Sequence, residues 1–215
     1  MKKLLSTILV GIALLLFPNL ALSQRNATPV ERTVLGITLK HYRSIGVPLP
    51  KTVNLYVMEQ DEINAFAQVN SGVSAVTIGN SIYISNYTAA ELRGWNRARL
   101  HQKYLSTCNC MDGVVTLLHE AGHLAQFYTN MTLEQYSLRV KYYEGMAEAV
   151  AQDQLPNLMV KYFGRNYLQK CWYRCIQQIA YPSYVFYVKR LSRMATHSKI
   201  NSAKARRWRI NHLRA

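Results

Sequence analysis

The sequence predicts an α+β fold, a small N-terminal sheet with a hairpin edge followed by a mostly helical half. Three observations carry this expectation. Residues Thr52 to Met58 alternate apolar and polar, Ser74 to Ser85 hold two β-branched runs around a turn, and beyond Met111 the chain reads as almost wholly helical.

Taken in order, the chain opens with Lys2 and Lys3, an uncharged apolar run from Leu4 to Phe17, and the small-residue site Ala21-Leu22-Ser23. This is the layout of a secretory signal over residues 1–23, with a mature start near Gln24. The apolar run is short for a membrane span, so an uncleaved anchor is the weaker reading. Export to a periplasmic or extracellular location is expected, with no stable transmembrane segment after cleavage. Residues 24–215 then make one domain of ordinary size, ending in a basic helical tail from about 199 to 215.

Val53, Leu55 and Val57 fall on one face of a half-buried strand. Asp61 to Val69 reads as a short helix behind an acidic start. The runs Ala75-Val-Thr-Ile and Ile82-Tyr-Ile flank Gly79-Asn80-Ser81 and predict a hairpin. A helix is expected around Ala89 to Leu105. Asp112 caps a helix reaching about Tyr128, and Thr132 with Gln135 forms a capping-box pattern for a helix reaching about Gln154. Pro156, Gly164 and Pro182 punctuate three further helical pieces.

The chain carries 26 Lys and Arg against 11 Asp and Glu, and without Lys2 and Lys3 a mature chain would hold 24 against 11, a net of +13. Such a balance favours an anionic envelope surface as a partner, met through the late run Lys204-Ala-Arg-Arg-Trp-Arg. A solvated basic tail is the plainer account. No nucleic-acid motif is present, and nucleic acid is not expected as a partner. Cys108, Cys110, Cys171 and Cys175 form two close pairs, which in an oxidising compartment predict two disulfides crossing between the segments. A second, thiolate metal site is the rival reading.

His119-Glu120-Ala121-Gly122-His123 is the sharpest signal. Residues four apart lie on one helix face, ~6 Å apart at their roots, so both imidazoles can converge on one Zn2+. Glu120 is rotated about 100° from His119, within reach of the zinc's water without binding the metal, and suits a general base. A zinc centre with an open position needs a third protein ligand. Tyr142-Tyr143-Glu144-Gly145-Met146-Ala147-Glu148 begins beyond a short turn, and an antiparallel helix would return Glu144 beside the histidines. Glu148, one turn later, is placed to accept a proton from a ligand histidine and fix its tautomer. The roles of Glu144 and Glu148 are exchangeable on spacing alone. Exposed histidines and glutamates on ordinary amphipathic helices are the bland alternative.

The HEAGH and YYEGMAE segments resemble the gluzincin clan of zinc metallopeptidases. The hairpin ahead of them is similar to a bacterial metallopeptidase-like domain called the eCIS core domain. The resemblance covers about Thr52 to Gln154. It implies a zincin-like fold, zinc at His119, His123 and Glu144, and Glu120 as the catalytic carboxylate. It also implies an extended peptide substrate added along the free hairpin edge. The clan stabilises its oxyanion with a later His or Tyr, and Tyr142, Tyr143, Tyr181, Tyr184, Tyr187 and His197 all remain open for that role. The expected function is an exported zinc peptidase. The alternative is a non-catalytic, zinc-stabilised binding protein docked on an anionic envelope surface.

Overall fold

A computed structural model describes residues 23–67, 72–101 and 112–165. The signal segment, the four cysteines, the basic tail, and the expected helices beyond Gly164 with Tyr181, Tyr184, Tyr187 and His197 lie outside these residues.

The described elements are β1 (Arg25–Asn26), α1 (Pro29–Ser44), β2 (Asn54–Met58), α2 (Gln60–Phe66), β3 (Ala75–Ile78), β4 (Ser81–Ser85), α3 (Asn86–Leu100), α4 (Asp112–Tyr128), α5 (Leu133–Leu138) and α6 (Val140–Phe163). They form a small four-stranded mixed sheet and a mostly helical remainder, an α+β arrangement. Strand order is β1-β2-β4-β3, with β2 and β4 parallel and the other two pairs antiparallel.

Helix α1 falls where the sequence reading named no element. Its start was nevertheless written locally: Thr28 accepts from the Glu31 amide, Glu31 accepts from the Thr28 amide, and Pro29 sits in the first turn. Glu31 has a second duty as a fully buried carboxylate held by Arg25 and Arg93. Burial works to raise its pKa, yet the bonds from Arg25 and Thr28 bring it down to about 2. The acid therefore ties β1, α1 and α3 together.

The hairpin forms as expected, with a two-residue loop in which Gly79 takes φ 55°. Tight hairpin loops need positive φ there, and glycine adopts it without a Cβ penalty. β3 is an edge strand. In its register Val76 opposite Tyr83 and Ile78 opposite Ser81 exchange the ladder bonds, so the backbone groups of Ala75 and Thr77 face outward. On the inner side of the sheet Leu55, Val57, Ile82 and Ile84 are buried against the helices.

α4 is the central rod, buried from Gly113 through Gln126 except at Thr116. Three contacts fix it. The Tyr42 hydroxyl of α1 donates to the Leu118 carbonyl at 2.8 Å. Gly113 admits α3 so closely that an added Cβ would stand 2.9 Å from the Glu91 Cβ. α6 packs against it beyond a turn in which Asn130 takes φ 75°, and runs antiparallel, since Tyr143 meets Gln126 and Glu148 meets His119.

Several expectations about helix limits change, and the helix expected around Ala89 to Leu105 runs Asn86–Leu100 because His101 takes an extended conformation at φ −136°. The capping box at Thr132 is present, but it starts a helix of only six residues, because Arg139 leaves helical geometry at φ −140°. The helix that follows runs on through Pro156 to Phe163 and ends at Gly164, φ 82°. Proline removes one helical bond and normally breaks a helix. Here Leu155, Leu158 and Met159 are buried in the core on either side of it, and their packing carries the helix past the missing bond.

Candidate metal centre

Helix α4 brings His119, Glu120 and His123 to one buried place, each with less than a tenth of its surface exposed. The His119 and His123 rings cross at 75° with centroids 4.7 Å apart, and their Nε2 atoms face each other at 3.0 Å. From α6, Glu144 turns one carboxylate oxygen to His119 Nε2 at 3.1 Å and the other to His123 Nε2 at 3.2 Å. One donor atom from each of these three residues lies within 4.8 Å of the other two, so together they form a group that could hold a metal ion.

The outer ring nitrogens decide the chemistry of the inner ones. His119 Nδ1 lies 3.0 Å from Glu148 Oε2, and a carboxylate only accepts, so Nδ1 carries a hydrogen. Gln126 donates its amide nitrogen to the Tyr143 carbonyl at 3.0 Å, which leaves its oxygen facing His123 Nδ1 at 2.9 Å. That nitrogen must be protonated as well. Both Nε2 atoms of neutral rings are then bare lone pairs, pointing at each other and at two carboxylate oxygens. Four acceptors at this range repel unless a proton or a metal cation lies among them. A divalent cation fits this donor set, two imidazoles and a carboxylate with the outer nitrogens tied back.

Protonation responds to the same field. Burial would push the His119 ring down, but the carboxylates of Glu144 and Glu148 hold its pKa well above the usual histidine value. His123 is raised too, by Glu144 against its burial. Burial would push Glu144 up, but the two histidines hold it far below the ordinary carboxylate range. The pocket is built to surround positive charge.

Around the cluster sit groups that spacing did not single out. Gln152, one turn beyond Glu148, donates to its second oxygen at 2.8 Å. Thr77, on the inner face of edge strand β3, donates to Glu120 Oε2 at 2.6 Å. Tyr136, the inward side chain of α5, donates to Glu144 Oε1 and meets the His123 ring edge-on at 5.9 Å. Tyr142 stays 38% exposed, and Tyr143 enters through its backbone carbonyl and by stacking on Tyr136 at 6.1 Å. The Gln126 signal was present in the sequence as a polar residue three positions after His123 on an otherwise apolar helix. Thr77 and Tyr136 carry no local signal.

Comparison with protein-family models, with curated proteins and with solved structures yields no match to this chain.

Proposed function

We propose that this chain is a zinc-dependent hydrolase acting on peptide bonds, of zincin-like fold. The observation that carries the reading is the convergence of two inward imidazole nitrogens and the Glu144 carboxylate, with both outer nitrogens bonded to fixed acceptors. His119, His123 and Glu144 would hold the metal, and Glu148, Gln126 and Gln152 would keep the histidines turned towards it. Zinc bound there supplies Lewis acidity towards a carbonyl and towards water. The preference for zinc rests on the two-imidazole, one-carboxylate donor set.

Glu120 suits the proton work. It neighbours His119 on the helix, yet its carboxylate turns to the Thr77 hydroxyl rather than into the ligand cluster. A base held aside in this way can take a proton from the attacking water and return it to the leaving amine. The Thr77 contact also sets the inner face of β3 against the base. An extended peptide pairing with the outward backbone groups of Ala75 and Thr77 would run beside the site, which supports a peptide substrate. The gluzincin resemblance of HEAGH and YYEGMAE points the same way.

The test uses the purified chain. One zinc per molecule by elemental analysis is expected, together with hydrolysis of a denatured protein substrate. Glu120→Gln should keep the zinc and lose at least ~100-fold in rate, the usual contribution of a positioned base. Absence of zinc after loading, or an unimpaired Glu120→Gln variant, would overturn the assignment.

A further inference from the structure

The strongest observation that the peptidase reading leaves unused is Tyr136. Helix α5 has six residues and none of them is buried, and Leu133 and Leu138 at its two ends are 54% and 76% exposed. So little apolar contact does not by itself explain why the helix docks. Tyr136 is the side chain that ties it to the site. The Tyr136 ring lies between Phe127 at 5.8 Å, Tyr143 at 6.1 Å and the edge of His123, and its hydroxyl reaches the carboxylate that also faces both histidines.

We propose that Tyr136 is a fourth protein ligand of the resting metal centre, its phenol oxygen binding the metal beside Glu144. The proposal rests on the metal reading given above. The phenol oxygen is in hydrogen-bond contact with the carboxylate that faces both histidines, and its hydrogen points at that carboxylate. When a dication binds, the O–H bond breaks as the oxygen–metal contact forms, and the proton leaves to solvent, as for other protonated ligands. Four protein ligands make a zinc site closed rather than open. Because α5 is bounded by non-helical Arg139 and by the positive-φ turn at Asn130, and buries no residue, it can carry Tyr136 away without disturbing the core. Opening the centre to water and substrate then requires α5 to release its hold.

Copper(II) loading of the full chain gives a readout that does not depend on activity. A phenolate bound to copper(II) produces a charge-transfer band in the visible, which imidazole and carboxylate ligands do not. The wild type is expected to show this band at one copper per chain. Tyr136→Phe, which keeps the ring contacts, is expected to lose the band while still binding one copper, and Tyr143→Phe is expected to retain it. Metal affinity alone is not decisive, since losing a hydrogen bond to Glu144 would also weaken binding by ~10–100-fold. A wild type that binds one copper without the band, or an unchanged band in Tyr136→Phe, overturns the ligand role and leaves the metal centre standing. Failure of the wild type to bind copper or zinc at all overturns both.

Discussion

His123 shows how a side chain outside the candidate donor group can orient a proposed metal ligand. Its Nδ1 faces Gln126, whose own amide nitrogen is committed to the Tyr143 carbonyl. Gln126→Leu should leave the fold intact, free the ring to rotate or change tautomer, and reduce zinc affinity by ~10–100-fold in competition with a chromogenic chelator. An unchanged affinity would show that the amide is a bystander. Protons compete for the same place. Because the neighbouring carboxylates raise the His119 and His123 pKa values of the metal-free chain, ligation displaces protons wherever those rings are still charged. Apparent zinc affinity should therefore climb with pH through ~6 to 8 and flatten only above the raised pKa values. Calorimetric titration in buffers of different ionisation enthalpy would reveal the released protons, and a flat profile would refute the raised pKa values of the two rings.

At the scale of elements, the approach of α3 to α4 holds the motif helix in place. Gly113→Ala pushes a methyl to 2.9 Å from the Glu91 Cβ and 3.2 Å from the Leu92 amide nitrogen, neither of which is a flexible chain end. Overpacking of this kind costs ~1–3 kcal/mol, visible as a lower denaturant midpoint at unchanged m-value. The same junction holds an acid under stress. Burial, then the nearby Asp112, pushes the Glu91 pKa up to about 7, with the Tyr87 hydroxyl offsetting a little. A carboxyl whose folded pKa exceeds its unfolded one is neutral in both states at low pH and destabilises the fold once the unfolded chain ionises first. Glu91→Gln should thus match the wild type near pH 4 and melt higher than it at pH 8. Equal melting temperatures at pH 8 would mean that the carboxylate is solvated in place.

For the whole molecule, a metal held at the proposed centre would be a ligand of the folded state, because the candidate donors come together only when α4 and α6 pack. Zinc at ~100 times its dissociation constant should add about 2.7 kcal/mol of stability. In a chain of this size that corresponds to a melting temperature higher by ~5–10 °C. Scanning calorimetry with and without a chelator checks this, and Glu144→Gln should abolish the shift. Among the described residues no helix is long and apolar enough to cross a membrane. The chain is strongly positive as a whole, whereas the group at this site pairs its histidines with a carboxylate.

Sequence alone determined whatever depends on neighbours within a turn or a hairpin. The pairing of His119 with His123, the spacing of Glu144 and Glu148, the hairpin around Gly79-Asn80-Ser81 and the Thr132 capping box are all local patterns, and local geometry follows from 3.6-residue and two-residue periods. Tertiary structure decided which carboxylate faces which nitrogen, removing an ambiguity that spacing left open: Glu144 meets both inner nitrogens, Glu148 an outer one. It also brought Thr77 to Glu120 across 43 positions and hung Tyr136 over Glu144 from a helix with no buried residue. No window of sequence holds those partners together, because packing between distant elements, not periodicity, sets the distance between them.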